Sequence, residues 1–161
     1  IMLSWAFLTL GIGLGSWWAY RVLGWGGFWF WDPVENASLL PWLSGTALLH
    51  ANAVLQKRGM LKAWVLLLSI VTFGLSLMGT FLVRSGLLTS VHSFASDPER
   101  GVFILLYIIA VLGGALLLYA MRAHRLVSDT PDGMLPLSRE GMIVINNMFL
   151  LTACATVFLG T

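Results

Sequence analysis

The sequence predicts an all-α integral membrane protein with about five transmembrane helices. Of its 161 residues, 58% are hydrophobic and only 10% are charged, and the mean hydropathy is +0.88. Soluble domains average about 25% charged residues, so no aqueous core could bury this much apolar surface. Five apolar stretches approach the roughly 20 residues that one bilayer crossing needs. They cover residues 2–20, 37–56, 61–83, 102–121 and 142–160.

The first of these stretches contains three glycines, Gly11, Gly13 and Gly15, two of which form a GxxxG pair. Small residues at this spacing let a neighbouring transmembrane helix approach closely, so we expect tight helix packing here. A phosphate-binding loop uses similar glycines, but it follows a β-strand. No strand pattern precedes these residues, and we set that alternative aside.

The charge balance and the cysteine content exclude several classes of function. The net charge is +2 with nine basic residues, which are too few to form a nucleic-acid-binding surface. Cys154 is the only cysteine in the chain, so a disulfide within it, a CxxC redox pair and a thiolate metal site are excluded. The sequence opens on Ile1 without a basic leader and closes on Thr161 without a polar tail. We interpret it as part of a longer membrane protein.

The basic residues predict which loops face the cytoplasm, because cytoplasmic loops carry the excess of Lys and Arg. Six basic residues lie at the connections between spans two and three and between spans four and five, against three at the other two connections. Residues 21–36 and 84–101 are therefore predicted to be outer loops. The loop over residues 122–141 is predicted to be cytoplasmic and irregular. The six residues are Lys57, Arg58, Lys62, Arg122, Arg125 and Arg139.

The first outer loop contains an unusual aromatic segment, WGGFWFWDPVEN, over residues 25–36. Tryptophan concentrates at membrane interfaces, and such a belt accounts for three tryptophans near helix ends. It accounts less well for Trp25, Trp29 and Trp31, which lie among glycines that allow a flat partner to approach. Aromatic faces stack on extended π systems, so a bound porphyrin or quinone is the alternative to a belt. The belt tryptophans are Trp17, Trp18 and Trp42.

The end of the aromatic segment has the signature of a helix start. Asp32 suits an N-cap, Pro33 the first helical position, and Glu35 the position that bonds back to the cap. This structural role does not exclude a functional one, since a capped helix is a rigid edge for an aromatic surface. Pro41 would break or kink the helix. We therefore expect a short interfacial helix over residues 33–40 and the membrane span after it.

The chain has three histidines, two of which are candidates for a binding role. His50 lies about halfway along span two, where polar residues are costly and tend to be functional. Ala47 and Ala53 flank it at helical spacing and would leave room for a macrocycle, while a hydrogen bond to another helix is the alternative. His92 lies among apolar residues of the second outer loop, which suits a turn lying on the membrane or on the aromatic segment; a solvated loop histidine is the alternative. His124 is interpreted as a solvated residue at a cytoplasmic helix end. Haem iron takes such imidazole ligands.

Two blocks of the sequence resemble a known family. WGGFWFWDPVENASLLPWLSGTALLH resembles the WWD signature of haem-handling membrane proteins, and GTFLVRSGLLTSVHSFASDPERG resembles their CcmF branch, the cytochrome c-type biogenesis (haem lyase) proteins. The resemblance runs from Gly15 to Gly101. It implies a WWD-type cytochrome c assembly region over residues 1–121, with residues 122–161 forming a cytoplasmic loop and the start of the next membrane region. Related NrfE- and CcsA-type proteins are alternatives.

The resemblance implies haem chemistry at the periplasmic face of a bacterial inner membrane. In this family the WWD segment holds haem as a transient substrate while thioether bonds form to apocytochrome c. His92 matches an axial ligand of that haem, and His50 matches a ligand of a resident membrane haem b, which is thought to reduce the incoming haem iron with quinol as donor. The platform residues carried over are Trp25, Trp29, Trp31 and Asp32.

The resemblance also implies partners. They are a haem chaperone, the subunits of the maturation complex that present apocytochrome, apocytochrome c itself and membrane lipid. The family's second ligand for each haem lies outside this chain, so each haem site here would be half complete. Two other functions are considered: a haem exporter or carrier without ligation activity, and a structural or quinone-binding scaffold whose aromatic residues form only a belt.

Overall fold

The computed structural model describes residues 1–24, 26–87, 90, 97–126 and 137–161. All regular elements within these ranges are helical, which confirms the predicted all-α class. Most helix ends lie within a few residues of the predicted spans, and a short 3-10 turn, Ala123–Leu126, follows the fourth helix. The long helices are α1 (Met2–Arg21), α2 (Pro33–Arg58), α3 (Lys62–Ser85), α4 (Pro98–Arg122) and α5 (Arg139–Leu159).

Helix α2 is the centre of the bundle. Helices α1, α3 and α5 all pack against it, and α4 packs against α3. The main core cluster buries Ala47, Leu48 and Ala51 of α2 against Val65 and Leu68 of α3. The small alanine side chains let neighbouring backbones approach, which is how helices associate where lipid removes the hydrophobic driving force.

Contacts at the two ends of α2 fix the direction of α5. Arg58, at the end of α2, forms a 3.2 Å ion pair with Glu140 in the first turn of α5. At the opposite end, Trp31 precedes α2, and its indole Nε1 donates a 2.9 Å hydrogen bond to the carbonyl of Gly160, just after α5. The two helices are therefore antiparallel. The end that carries Trp31 is called the outer end below, and the compartment it faces stays a prediction.

Four of the described helices, α1, α3, α4 and α5, are long and apolar enough to cross a membrane. Helix α2 differs from the prediction: its 26 residues are sufficient in length, but it is not among those four. Asn36, Ser44 and His50 lower its hydropathy. Its neighbours bury Asn36 and Ser44 completely, so α2 tolerates these polar residues where a lipid-facing helix would not, whereas His50 is exposed. These four helices indicate a multi-pass membrane protein. A fifth crossing by α2 stays a prediction.

The expected short helix over residues 33–40 is wrong, because α2 continues through Pro41 without a break. Proline deprives the carbonyl of Ala37 of its usual partner four residues on. The Gly79 backbone of α3 packs against this carbonyl, since a Cβ on Gly79 would lie 3.4 Å from its oxygen. The Ser44 hydroxyl also donates to the carbonyl of Leu40 at 3.1 Å. Neighbouring helices and hydroxyl side chains are what make proline tolerable in a membrane helix.

Two tryptophans attach α1 to α2. The indole of Trp5 donates to Thr46 Oγ1 at 2.9 Å, and the indole of Trp42 donates to Thr9 Oγ1 at 2.8 Å. The two rings stack with their centroids 5.8 Å apart. Trp42 lies about 14 Å along the helix axis from Pro33. It therefore joins two helices, and its assignment to an interfacial belt stays a prediction.

The close approach predicted for the glycines of α1 is not found among the described residues. A Cβ on Gly11, Gly13 or Gly15 would meet no described atom within 4 Å. Gly11 and Gly15 instead line a groove between α1 and the start of α2. A close glycine contact occurs in α3, where a Cβ on Gly74 would lie 2.9 Å from the Leu112 side chain of α4.

The contact between α3 and α4 gives a first prediction. A Cβ on Gly101 would lie 2.9 Å from the Ser85 Cα and 3.2 Å from its Cβ, so Gly101→Ala must push the two backbones apart. We expect it to lower the free energy of unfolding by about 1–3 kcal/mol, measured as the thermal midpoint of the full-length protein in detergent. The control is Gly113→Ala on the same helix, where a Cβ meets no described atom within 4 Å. Equal midpoints for Gly101→Ala and the unsubstituted protein would contradict this packing.

Candidate functional site

The aromatic segment lies at the outer end with several ring faces exposed. Phe28, Phe30 and Trp31 are 53%, 44% and 50% exposed. The ring of Phe28 also stacks on Tyr20 at the end of α1, with centroids 5.1 Å apart. Trp31 has a φ of +58°, a backbone conformation that bulky residues rarely adopt and that is typically retained at functional sites. The segment thus offers apolar ring surface from a defined, strained backbone.

A capping box anchors this segment to α2, as the sequence predicted. The Asp32 carboxylate accepts a 3.0 Å hydrogen bond from the Val34 backbone N–H. The Glu35 carboxylate accepts from the backbone N–H groups of Phe30, at 2.8 Å, and Asp32, at 3.3 Å. Together these bonds satisfy donors at the helix start that would otherwise lack a partner. The backbone on both sides of Trp31 is therefore held by one carboxylate of α2, that of Glu35.

Asn36 is the buried junction beneath the aromatic segment. It is completely inaccessible to solvent. Its amide oxygen accepts the indole N–H of Trp29 at 3.2 Å, and its amide nitrogen donates to Thr161 Oγ1 at 3.0 Å and more weakly to the Trp31 carbonyl at 3.5 Å. One side chain therefore connects the aromatic segment to α2 and to the end of α5.

The two described tryptophans of the predicted platform point to different helices. Trp29 is half-buried and lines a groove of about 410 Å³ between α1 and the start of α2, together with Trp18 and Gly15. Trp31 is directed towards α5, where its indole bonds to Gly160. Binding pockets for small molecules usually enclose about 300–1,000 Å³, so the groove has a suitable size. The structure does not bring both indoles to a single flat surface.

The second outer loop contacts the same cap. The Ser90 hydroxyl donates a 2.6 Å hydrogen bond to the Asp32 carboxylate. Asp32 therefore links the two outer loops as well as capping α2. The predicted ligand His92 and the predicted platform residue Trp25 lie outside the described residues. Their roles stay predictions.

His50 lies on the open side of α2, beside α5. Its Nδ1 is 3.1 Å from the side-chain amide of Asn146, so the predicted alternative of a hydrogen bond to another helix is present. No described residue bonds its other ring nitrogen, Nε2. Of the two flanking alanines, Ala53 shares this exposed face, whereas Ala47 is fully buried in the core. The room for a macrocycle beside His50 is therefore on the Ala53 side.

His50 lies past the middle of α2, and its depth in a membrane stays a prediction. Because α2 starts before the predicted span, His50 lies seventeen residues after Pro33 and eight before Arg58. These separations correspond to about 26 Å and about 12 Å along the axis. His50 is thus closer to the inner end of α2 than to the aromatic segment.

The donor set fits haem ligation at His50. An axial ligand needs an unprotonated ring nitrogen, and a hydrogen bond at the other nitrogen fixes the ring and its tautomer. The amide of Asn146 lies at Nδ1, with its nitrogen facing the ring, and Nε2 has no described partner. Turning this amide by rotation about one bond places its oxygen at Nδ1 and frees Nε2 for a metal. The amide of Asn146 is neutral, so this arrangement introduces no unpaired charge at membrane depth.

Sequence reasoning missed three residues that build the site: Asn36, Ser90 and Asn146. Asn36 ends the aromatic motif itself, and Asn146 lies inside an apolar span. Polar side chains in such places are expensive and call for a partner, so the signal for both was present. Ser90 carries no comparable signal, because a serine in an outer loop is ordinary.

The cap of α2 gives a second prediction. Asp32→Ala should lower the free energy of unfolding by about 1 kcal/mol, whereas Asp32→Asn should stay close to the unsubstituted protein, since asparagine caps helices as well as aspartate. The thermal midpoints of the two variants in the full-length protein measure the difference. If asparagine proves as harmful as alanine, the negative charge matters more than the cap.

Sequence comparisons identify proteins similar to this chain. The family model described as cytochrome C assembly protein matches residues 1–89. The chain is 62% identical over 161 residues to the cytochrome c-type biogenesis protein CycK of Bradyrhizobium diazoefficiens and 60% identical over 158 residues to CcmF of Haemophilus influenzae, covering 99% and 98% of this chain. NrfE of Haemophilus influenzae is 49% identical over 161 residues, covering all of this chain.

The fold has a solved counterpart. A structure named cytochrome c heme lyase CcmF superimposes with a TM-score of 0.75 and 37% identity, over 98% of this chain and 23% of that one. The chain spans about a quarter of the length of the curated relatives it matches, 24% for both CycK and CcmF and 25% for NrfE. It belongs to the cytochrome c assembly protein family and, within it, resembles the CcmF and CycK biogenesis proteins over nearly its whole length.

Proposed function

We propose that this chain is part of a haem-binding membrane subunit that presents haem at the outer membrane face for thioether attachment to apocytochrome c. The observation that carries the proposal is the anchoring of the aromatic segment. Its exposed rings are fixed to α2 by the Asp32 and Glu35 cap and to α5 by Trp31 and Asn36. Aromatic side chains that only form an interfacial belt need no such hydrogen-bond network.

The substrate haem would lie against this segment. The chain's own contribution is to bind and orient the macrocycle through ring faces and to keep competing reactions away from it. Phe28, Phe30 and Trp31 supply the exposed ring surface. Since Asp32 bonds Ser90, the cap also holds a residue two positions before His92, the proposed axial ligand of the substrate haem.

We propose that His50 binds a resident haem b. When bound, this group would supply one-electron reduction of the incoming haem iron, with quinol as the proposed donor. The chain's part is to offer Nε2 of His50 and to hold the ring from the Nδ1 side through Asn146. The second axial ligand would come from outside this chain.

The thiols for the thioether bonds would come from the substrate cytochrome. Cys154 is buried in α5, near the Leu40 carbonyl, so it is poorly placed to act as a thiol reagent. The proposed partners are apocytochrome c, the subunits that present it and a haem chaperone. The proposed setting is the bacterial inner membrane, with the aromatic segment facing the periplasm.

The histidines give a third prediction. His50→Ala in the full-length protein should remove the absorption of the resident haem, because an axial ligand is lost. His92→Ala should spare that absorption but stop cytochrome maturation. The control is His124→Ala, since His124 lies exposed in the 3-10 turn at the inner end and should change neither readout. An unchanged haem spectrum in His50→Ala would remove His50 from the proposed site.

The tryptophans give a fourth prediction. Trp31→Phe keeps a ring but loses the 2.9 Å bond to Gly160, and Trp29→Phe loses the bond to Asn36. Each should cost about 1 kcal/mol of stability. Trp31→Leu should in addition reduce cytochrome maturation strongly, because half of this ring is exposed at the proposed substrate surface.

The alternative functions are distinguished by assaying cytochrome c maturation in cells whose only copy of the protein is the variant. If Trp31→Leu and Trp29→Leu mature cytochrome c normally, the aromatic residues form only a belt or scaffold. Haem movement across vesicles that contain no apocytochrome would instead favour an exporter without ligation activity.

A further inference from the structure

We propose that Asn146 is a positioning residue for His50: with its amide turned so that the oxygen faces the imidazole, it accepts the Nδ1–H and keeps Nε2 unprotonated for iron. This inference rests on the proposed function, in which His50 binds haem. It adds a residue on α5 that would set the tautomer, the orientation and the electron-donating strength of the ligand.

The contact joins two helices in a fixed register. His50 is on α2 and Asn146 is on α5, with 3.1 Å between His50 Nδ1 and the amide nitrogen, Nδ2, of Asn146. The next residue, Asn147, is fully buried. With its amide turned to satisfy both neighbours, Asn147 donates to the Ala47 carbonyl and accepts from Trp64 Nε1, each at 3.3 Å.

This buried neighbour fixes which way Asn146 points. Successive residues of an α-helix are about 100° apart around the axis, because one turn takes about 3.6 residues. With Asn147 held between α2 and α3, α5 cannot rotate without breaking two buried hydrogen bonds. Asn146 is therefore presented to the open side of α2, where His50 lies. The pairing follows from the helix register and does not depend on a flexible loop.

The tautomer of His50 depends on which end of the amide faces it. An amide NH₂ would donate to an unprotonated Nδ1 and leave the proton on Nε2, which then has no lone pair for a metal. The amide oxygen would accept from Nδ1–H and leave Nε2 free. The two ends are nearly identical in shape and interchange by rotation about one bond. In the structure the amide nitrogen, Nδ2, is the atom that faces Nδ1, at 3.1 Å, which is the first arrangement. Because iron needs the Nε2 lone pair, ligation would select the second arrangement, with the Asn146 amide turned over.

The membrane makes this hydrogen bond valuable. In the proposed membrane setting of α2 water is scarce, and an imidazole N–H left without a partner costs free energy. A hydrogen-bond acceptor at the non-ligating nitrogen also raises the basicity of the ligand and restrains its ring. An asparagine provides that acceptor without the charge that an aspartate would introduce into the bilayer.

A competing explanation is that the pair only holds two helices together, as polar contacts in membranes often do. The two roles predict different spectroscopic behaviour. A structural bond affects stability whatever the haem does. A positioning bond alters the affinity for haem and the iron midpoint potential, and its effect follows the acceptor strength of residue 146.

The test uses the full-length protein with Asn146→Leu, Asn146→Asp and the control Thr152→Val. Leucine is close to asparagine in size and suits the bilayer, so Asn146→Leu should fold. Thr152 is on the same helix, and its hydroxyl bonds only to its own helix at Met148. Haem affinity and the midpoint potential are measured on each variant, together with the thermal midpoint of haem-depleted protein.

We expect Asn146→Leu to bind haem about 10- to 100-fold more weakly and to raise the midpoint potential, because a less basic imidazole stabilises oxidised iron less. Asn146→Asp should lower the potential, since a carboxylate is the stronger acceptor. Thr152→Val should match the unsubstituted protein. If Asn146→Leu keeps the unsubstituted affinity and potential, the inference is overturned, even if the haem-depleted protein is less stable.

The experiment distinguishes failure of this inference from failure of the proposed function. If His50→Ala loses the haem absorption while Asn146→Leu behaves like the unsubstituted protein, His50 is a ligand and only the role of Asn146 fails. If His50→Ala keeps the haem absorption, the proposed function of His50 fails first, and the positioning role fails with it.

Discussion

The structure depends on one constraint: polar groups on α2 that pack among apolar helices must find protein partners, because a polar group left unpaired away from water costs free energy. Helix α2 meets this constraint at several levels. Asn36 pairs at its outer end, Thr46 accepts the indole of Trp5, the Ala47 carbonyl pairs with Asn147, and His50 contacts Asn146. These partners come from α1, α5 and the aromatic segment. The same bonds that satisfy α2 therefore assemble the bundle around it.

This constraint also connects the two proposed haem sites. The aromatic segment is tied to the outer ends of α2 and α5 through Asn36 and Trp31. His50 and Asn146 lie on the same two helices, about 26 Å deeper along α2. A displacement of α5 relative to α2 would disturb both ends at once. The antiparallel pair is thus a rigid frame for the ring surface outside and the imidazole inside.

Hydropathy and local capping rules were sufficient to predict the helices and the start of α2. The apolar runs are long, and Asp32, Pro33 and Glu35 act through neighbours in the sequence. Pro41 misled the prediction, because the groups that accommodate it, Gly79 and Ser44, belong to tertiary packing. The directions of the Trp29 and Trp31 side chains could not be predicted from the sequence either. They depend on Asn36 and on Gly160, which is 129 residues away from Trp31. A sequence pattern identifies a polar residue in a span, but only the fold shows its partner.

The central claim is that this frame binds iron porphyrin through imidazole. The most direct measurement is the absorption spectrum of the purified full-length protein after haem-replete expression, recorded oxidised and then reduced. The account predicts a haem spectrum that changes on reduction, with near-stoichiometric haem. A protein that is colourless under these conditions would contradict it.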